Sequence, residues 1–109
     1  MSAPYVYIWE YDVLPGMVDE FVELYGPGGS WAQLFAQAPG YLGTDLVQDR
    51  EEGARFVTID RWHSKDAFQC FRRRFGDQFD RLDRVGEELT LEESFLGEFE
   101  GVVENGGRA

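Results

Sequence analysis

The stretch from residue 54 to residue 75, ARFVTIDRWHSKDAFQCFRRRF, changes its hydrophobic period halfway along. From Phe56 to Trp62, β-branched and aromatic side chains alternate with period two, which predicts a strand. From Ala67 onward, apolar residues recur every three or four positions, which predicts an amphipathic helix. Ser64 lies at the junction, where its hydroxyl can cap the first free N–H groups of the helix. The stretch therefore predicts a strand that leads directly into a helix packed back on the sheet.

The rest of the chain repeats this alternation of strands and helices. The other predicted strands cover residues 5–13, 41–49 and 93–102, and the first helix covers residues 17–25. Residues 26–29, Gly-Pro-Gly-Gly, interrupt the first helix, and its apolar stripe resumes from Trp31 to Ala38. The second helix extends past Gly76, where we expect a kink, because glycine costs about 1 kcal/mol there relative to alanine. The charged residues 50–53 predict a hairpin turn.

The predicted order is strand, helix, strand, strand, helix, strand. With the third strand between the first two, this order predicts a ferredoxin-like βαββαβ fold of the α+β class, a four-stranded antiparallel sheet with helices on one face. The strands carry large apolar side chains on both faces, for example Val6 and Ile8 on one face and Tyr5 and Tyr7 on the other. An uncovered apolar sheet face is unusual in water. We therefore expect a symmetric homodimer in which the two sheets face each other.

Length and composition limit the function classes. A chain of 109 residues with 43% hydrophobic residues predicts one domain over residues 1–103, followed by a flexible tail at 104–109. A net charge of −11 disfavours a nucleic-acid partner. The sequence shows neither a secretory leader nor an apolar run of about 20 residues, so the expected location is the cytoplasm, without a membrane partner. One cysteine, Cys70, and one histidine, His63, predict neither a disulfide nor a metal site.

Aromatic residues make up 16% of the chain, and several are candidates for the walls of a ligand pocket. Tyr7 and Trp9 belong to an aromatic row on the first strand that can stack on a planar ligand. Trp62 closes the third strand and is the best single candidate for a pocket wall. The alternative for the aromatic row is ordinary packing against the helices or against a partner sheet, and the alternative for Trp62 is a core position at the end of the third strand.

Two residues are candidates for a general base, and one for an anion contact. His63 is the only histidine, and an imidazole side chain suits proton transfer; its alternative is a solvent-facing position at the start of the helix. Asp60 lies within the strand, where burial raises the pKa of a carboxyl group, and its alternative is an interface ion pair. Arg74 can meet a substrate carboxylate beside the apolar helix stripe, or it can belong to a solvated helix face.

Three stretches resemble the antibiotic biosynthesis monooxygenase family of small dimeric α+β barrel proteins. They are residues 38–44 (APGYLGT), residues 56–68 (FVTIDRWHSKDAF) and residues 95–99 (FLGEF). The resemblance implies a dimeric α+β barrel with a pocket between helices and sheet in each subunit. Family members include cofactor-free oxygenases of aromatic polyketide-like quinols and haem-degrading enzymes.

The resemblance also implies site residues. In the quinol oxygenases a tryptophan at the end of the third strand lines the pocket, and Trp62 matches it. Thr58 stands where those enzymes have an asparagine. Phe68 stands where they have a tyrosine on the second helix, so the resemblance makes Phe68 a candidate substrate-binding residue. The haem-degrading members use an asparagine on the first strand and a histidine on the second helix, and this sequence has neither in those places.

Two functions follow as hypotheses. The first is a cofactor-independent monooxygenase that acts on a small planar aromatic, such as a polyketide-type phenol or quinol. Trp62, Tyr7 and Trp9 would be its walls, and His63 or Asp60 its base. The second is a non-catalytic dimeric module that binds a small apolar molecule. An open cavity on the order of a few hundred Å³ with a buried titratable group favours the enzyme, whereas a completely filled helix–sheet space excludes it. No haem binding is expected.

Overall fold

The computed structural model describes residues 3–102, so the predicted tail and the predicted domain end at residue 103 lie outside the described residues. The strands are β1 (Tyr5–Val13), β2 (Tyr41–Gln48), β3 (Arg55–Trp62) and β4 (Thr90–Glu100). The helices are α1 (Val18–Tyr25), α2 (Ser30–Phe35), α3 (Lys65–Arg74) and α4 (Gly76–Glu87). None of these helices has the length and apolar character needed to cross a membrane.

The four strands form one antiparallel sheet in the order β2-β3-β1-β4. β3 lies between β1 and β2, as the split βαβ arrangement requires. The register places Tyr7 opposite Asp60, and Ile8 opposite Ile59, on the central pair of strands. This topology confirms the predicted ferredoxin-like fold.

The predicted interruptions of both helices are present. Residues 26–29 separate α1 from α2, and the kink expected at Gly76 is a boundary between α3 and α4. The Oγ atom of Ser64 accepts a hydrogen bond from the backbone N–H of Ala67 at 3.1 Å, which confirms the predicted cap of α3. β4 begins earlier than predicted, at Thr90, because its pairing with β1 continues to that residue.

The helices pack on one face of the sheet, and aromatic rings fill most of the space between the two layers. The ring centroids of Phe35 on α2 and Trp62 on β3 are 5.5 Å apart. Those of Phe21 on α1 and Tyr11 on β1 are 5.2 Å apart. Trp62, Phe21 and Phe71 are fully buried, and each such side chain stabilises the fold by about 1.5–3 kcal/mol. Most of the aromatic side chains therefore belong to one hydrophobic core.

The other face of the sheet stays uncovered within residues 3–102. Ile8 and Ile59 lie opposite each other at its centre, and both are only partly buried. Phe99 lies beside Val6 on the same face and is 51% exposed. The prediction that helices cover one face only is thus confirmed, and an apolar surface remains on the other.

Candidate functional site

A cavity of about 250 Å³ lies between the helices and the sheet. All four strands and all four helices contribute to its wall, so the whole fold shapes it. The lining residues are Tyr5, Tyr7, Trp9, Tyr11, Tyr25, Trp31, Phe35, Thr44, Thr58, Asp60, Phe68, Phe79, Asp83, Glu93 and Phe95. Ten of these fifteen side chains are aromatic, and such a wall suits a flat apolar ligand.

The aromatic row of β1 forms one side of the cavity. Strand alternation turns Tyr7 and Trp9 toward the helices, and their neighbours complete the wall. The ring centroids of Tyr7 and Phe68 are 4.9 Å apart, and those of Trp9 and Phe95 are 5.2 Å apart. Tyr7, Trp9 and Phe68, three of the predicted ligand-binding residues, therefore lie together on the cavity surface.

Asp60 is the most buried carboxyl group of the cavity. It is 6% exposed, and its Oδ1 accepts a hydrogen bond from the Thr44 hydroxyl at 2.5 Å. Because that bond uses the single hydroxyl proton of Thr44, the Tyr41 hydroxyl donates in turn to Thr44 Oγ1 at 2.5 Å. Among residues 3–102, no donor bonds the second oxygen, Oδ2. That oxygen therefore keeps its capacity to accept a hydrogen bond.

Burial raises the pKa of Asp60 to about 6, because the charged form loses its hydration in the core. The hydrogen bond from Thr44 and the positive charge of Arg61 act in the opposite direction but do not cancel this effect. The pKa of the neighbouring Tyr7 is raised by burial first and by the Asp60 charge second. A carboxyl group with a pKa near neutrality can accept and return a proton under physiological conditions.

Trp62 lies behind the cavity wall rather than in it. Its side chain is fully buried, and its Nε1–H donates to the Tyr7 hydroxyl at 3.4 Å. Its ring centroid lies 5.5 Å from that of Phe68. Trp62 therefore supports two lining residues, Tyr7 and Phe68, from below.

Besides Trp62, two predicted site residues do not line this cavity. His63 is exposed, and its backbone N–H donates to the carbonyl of Gly40 at 2.6 Å. It follows Trp62 at the end of β3, so strand alternation turns its side chain away from the cavity. Arg74 is also exposed, with its guanidinium carbon 5.3 Å from the ring centroid of Phe75.

Several lining residues were missed by the sequence analysis. Glu93 and Phe95 share one face of β4 at period two, and Asp83 lies one helical turn after Phe79, so both spacings carried a usable signal. Thr44 carried none, because its place opposite Asp60 depends on the register between β2 and β3, which the sequence of β2 alone does not give. Within residues 3–102, no three His, Cys, Asp or Glu side chains are grouped to hold a metal ion.

Solved structures share this architecture over nearly the whole chain. A variant of SnoaB, a cofactor-independent oxygenase from Streptomyces nogalater, is 20% identical with a TM-score of 0.72, covering 92% of this chain and 94% of that one. A putative antibiotic biosynthesis monooxygenase from Nitrosomonas europaea is 14% identical with a TM-score of 0.73, covering 97% of each chain. Another from Bordetella bronchiseptica is 20% identical with a TM-score of 0.71, covering 94% of this chain and 100% of that one. These similarities establish the fold.

The sequence itself gives the family. No curated protein matches the chain significantly. The sequence profile described as antibiotic biosynthesis monooxygenase matches residues 4–82, well over half of the chain. That match spans β1 to β3, α3 and the first part of α4, and so includes most of the cavity wall. The chain belongs to the antibiotic biosynthesis monooxygenase family.

Proposed function

We propose that this protein is a cofactor-independent monooxygenase that oxidises a small planar phenol or quinol with O2. The observation that carries the proposal is the aromatic cavity with Asp60 buried in its wall. An open cavity with a buried titratable group favours an enzyme over a binding module. The family and the SnoaB-like fold support the same reaction class.

In the proposed reaction Asp60 removes a proton from the bound substrate. The resulting anion gives one electron to O2, and the two radicals combine to form a carbon–oxygen bond. The peroxide takes back the proton from Asp60 and loses water, which leaves one oxygen atom of O2 on the substrate as a carbonyl group. Tyr7, Trp9 and Phe68 supply the walls that keep water away from the anion.

The geometry favours Asp60 over His63 as the base, because only Asp60 reaches the cavity. Trp62 is proposed to hold Tyr7 in place through their hydrogen bond. Arg74, expected to bind a substrate carboxylate, has no such role in this proposal. The non-catalytic binding module remains the alternative, since the same cavity can hold a ligand without reaction.

The proposal also includes a homodimer formed through the uncovered sheet face and a place in the cytoplasm. Ile8, Ile59 and Phe99 give that face its apolar character. A second copy of the same surface would remove these side chains from water.

Oxygen uptake with a panel of anthrone-like phenols tests the proposed activity. We expect uptake by the wild type, and a loss of about 100-fold or more in Asp60→Asn, because general-base catalysis contributes about 10²–10⁴-fold. Asp45→Asn is the matched control, since Asp45 is an exposed strand aspartate paired with Arg61. Equal uptake by the wild type and Asp60→Asn would contradict Asp60 as the base. No uptake by the wild type over the panel would favour the binding module.

A further inference from the structure

The tyrosines of β1 that line the cavity differ in where their hydroxyl protons go. The Tyr5 hydroxyl donates a hydrogen bond to Oε1 of Glu98 at 2.8 Å. The Tyr11 hydroxyl lies 3.2 Å from Oγ1 of Thr58, and either of these two atoms can be the donor. Each of these two hydroxyls therefore has an oxygen atom within reach that can accept its proton.

The hydroxyl of Tyr7 is different, because its partner can only donate. Nε1–H of Trp62 donates to the Tyr7 oxygen at 3.4 Å, and an indole nitrogen cannot accept a hydrogen bond in return. The Tyr7 oxygen is thus the acceptor in this pair. Within residues 3–102, no hydrogen bond joins its own proton to an acceptor. Tyr7 therefore carries an unused donor.

This unused donor lies deep in the cavity wall. Tyr7 is 7% exposed and lines the cavity. The ring nearest to it is that of Phe68, with a centroid distance of 4.9 Å, and this ring has no polar atom that could accept a hydrogen bond. Buried polar groups are nearly always paired in folded proteins. An oxygen atom of a ligand in the cavity would supply the acceptor that the wall lacks.

Tyr7 and Asp60 lie opposite each other on the central pair of strands, and both line the cavity. Burial first, and the charge of Asp60 second, raise the pKa of Tyr7 well above its ordinary value. The Tyr7 hydroxyl therefore keeps its proton at any pH at which Asp60 is ionised. Neighbouring strands thus bring a proton acceptor, Asp60, and a hydrogen-bond donor, Tyr7, to one cavity.

We propose that Tyr7 donates a hydrogen bond to an oxygen of the ligand, and that this oxygen becomes negative when Asp60 removes the ligand's proton. The base and the anion rest on the proposed function, whereas the hydrogen bond to a ligand oxygen does not. The ligand is then a planar aromatic molecule with a carbonyl oxygen, or with a phenolic oxygen that ionises.

The proposed hydrogen bond becomes stronger during the reaction. As the proton moves to Asp60, the negative charge moves from the carboxylate to the ligand oxygen, and the total charge of the cavity stays the same. A fixed donor that meets a developing negative charge stabilises the transition state more than the ground state. Tyr7 is therefore a catalytic residue in this proposal, and not only a part of the wall.

Two ligands of the same shape test the hydrogen bond at equilibrium. They are 1-indanone and indane, which share one pair of fused rings and differ by a carbonyl group in place of a methylene group. Calorimetric titration measures both without O2. Tyr7→Phe removes only the hydroxyl oxygen. We expect it to weaken the binding of 1-indanone about fivefold and to leave that of indane within about twofold.

Tyr5→Phe is the matched control. Tyr5 lies on the same strand and lines the same cavity, but its hydroxyl already donates to Glu98. The variant loses one phenolic oxygen, as Tyr7→Phe does, without removing an unused donor. Both ligands should bind to it within about twofold of their wild-type affinities.

The infrared carbonyl band of bound 1-indanone reports on the hydrogen bond itself. A hydrogen bond to the carbonyl oxygen lowers its stretching frequency, so the wild-type band should lie below that of 1-indanone in hexane. The band should move back toward the hexane value in Tyr7→Phe and stay in place in Tyr5→Phe. A hydroxyl that only supports the fold would not move this band, and the wild-type spectrum is informative without any variant.

Turnover gives a separate result. With a substrate that the wild type oxidises, Tyr7→Phe should lower kcat about 100-fold, because the loss of one donor to a developing oxyanion costs about 10²–10³-fold. KM should change much less, since the hydrogen bond to the neutral substrate is weaker. A wild type without O2 uptake would contradict the proposed function, but the binding and infrared results would still decide whether Tyr7 contacts a ligand oxygen.

Three results would overturn the proposal. The first is an equal effect of Tyr7→Phe on 1-indanone and indane, since the loss would then come from a change in the shape of the cavity. The second is the same carbonyl frequency in the wild type and in Tyr7→Phe. The third is the absence of 1-indanone binding by the wild type.

Discussion

At the scale of single residues, Asp60 links stability to function. Its pKa rises from 3.8 to about 6 on folding, so the folded protein holds the proton more tightly than the unfolded chain. The ionised carboxylate therefore costs stability, fully above pH 6, and the cost disappears as the pH falls toward 3.8. A buried carboxylate that lowers the free energy of unfolding at neutral pH is expected at a site whose reaction requires that carboxylate.

Asp60→Asn should stabilise the protein at neutral pH. Asparagine keeps the shape and can still accept the Thr44 hydrogen bond, but it has no charge to bury. We expect a gain of about 2–3 kcal/mol in the free energy of unfolding near pH 7.5, shrinking to a few tenths near pH 4. Urea unfolding of the wild type and the variant at both pH values measures this. A gain that stays the same at the two pH values would contradict a pKa raised by burial.

His63 and Asp60 show how far the sequence alone identifies residues. Both were candidates for a base, and the period of β3 already placed Asp60 on the face that carries Trp62. The sequence did not reveal the size of the cavity beside Asp60, because that size depends on how α2, α3 and α4 pack against the sheet. Ring packing between distant segments has no local sequence signature.

At the scale of secondary-structure elements, β2 controls the surroundings of Asp60. The pairing of β2 with β3 shifts between Tyr41 and Gly43, and Gly43 has a φ of 145°, a conformation that favours glycine. The shift joins Tyr41 and Thr44, three positions apart, in one hydrogen-bond chain to Asp60. Regular alternation along β2 would have placed the Tyr41 and Thr44 side chains on opposite faces of the sheet.

Thr44→Val should move the pH dependence of activity. The hydrogen bond from Thr44 favours the charged form of Asp60, so its loss raises the pKa of Asp60 further. If Asp60 is the base, kcat/KM rises with pH through about 6, and the variant's midpoint should lie about 0.5–1 pH unit higher. The measurement is a pH profile of oxygen uptake.

Thr58→Val is the control for this profile. Thr58 lines the same cavity but shares its hydrogen bond with Tyr11, so the midpoint should stay in place. A midpoint that moves equally in both variants would show that the Thr44 hydrogen bond is not the cause.

The elements were more predictable than the site. The Ser64 cap, the glycine-rich break at residues 26–29 and the boundary at Gly76 each follow from local backbone chemistry, and each is present. The cavity depends on contacts between residues far apart in the chain, such as Trp31 with Phe79. Sequence patterns predict on which face of a helix or strand a side chain lies. They do not predict which side chain from a distant part of the chain packs against it.

At the scale of the whole molecule, the fold leaves one face of the sheet uncovered. Helices occupy one face, and Ile8 and Ile59 lie together at the centre of the other. A homodimer stays a prediction, and it is the arrangement that removes the most apolar surface from water.

Ile59→Lys should convert the predicted dimer to a monomer, because it places a charge at the centre of the contact without touching the cavity. Val85→Lys is the control, since Val85 is 47% exposed on α4. Sedimentation at about 10 µM, where an interface of standard size is expected to be occupied, measures the state of each. A wild type that sediments as a single subunit would contradict the prediction.

The claim on which the account depends is that the aromatic cavity binds the substrate with Asp60 against its acidic oxygen. A crystal structure of the protein with 1,8-dihydroxyanthrone, grown without O2, tests this most directly. The account predicts the rings between Tyr7 and Phe68, with one oxygen or the acidic carbon within about 3.2 Å of an Asp60 oxygen. A ligand bound on the open sheet face, or a cavity closed by its own side chains, would contradict it.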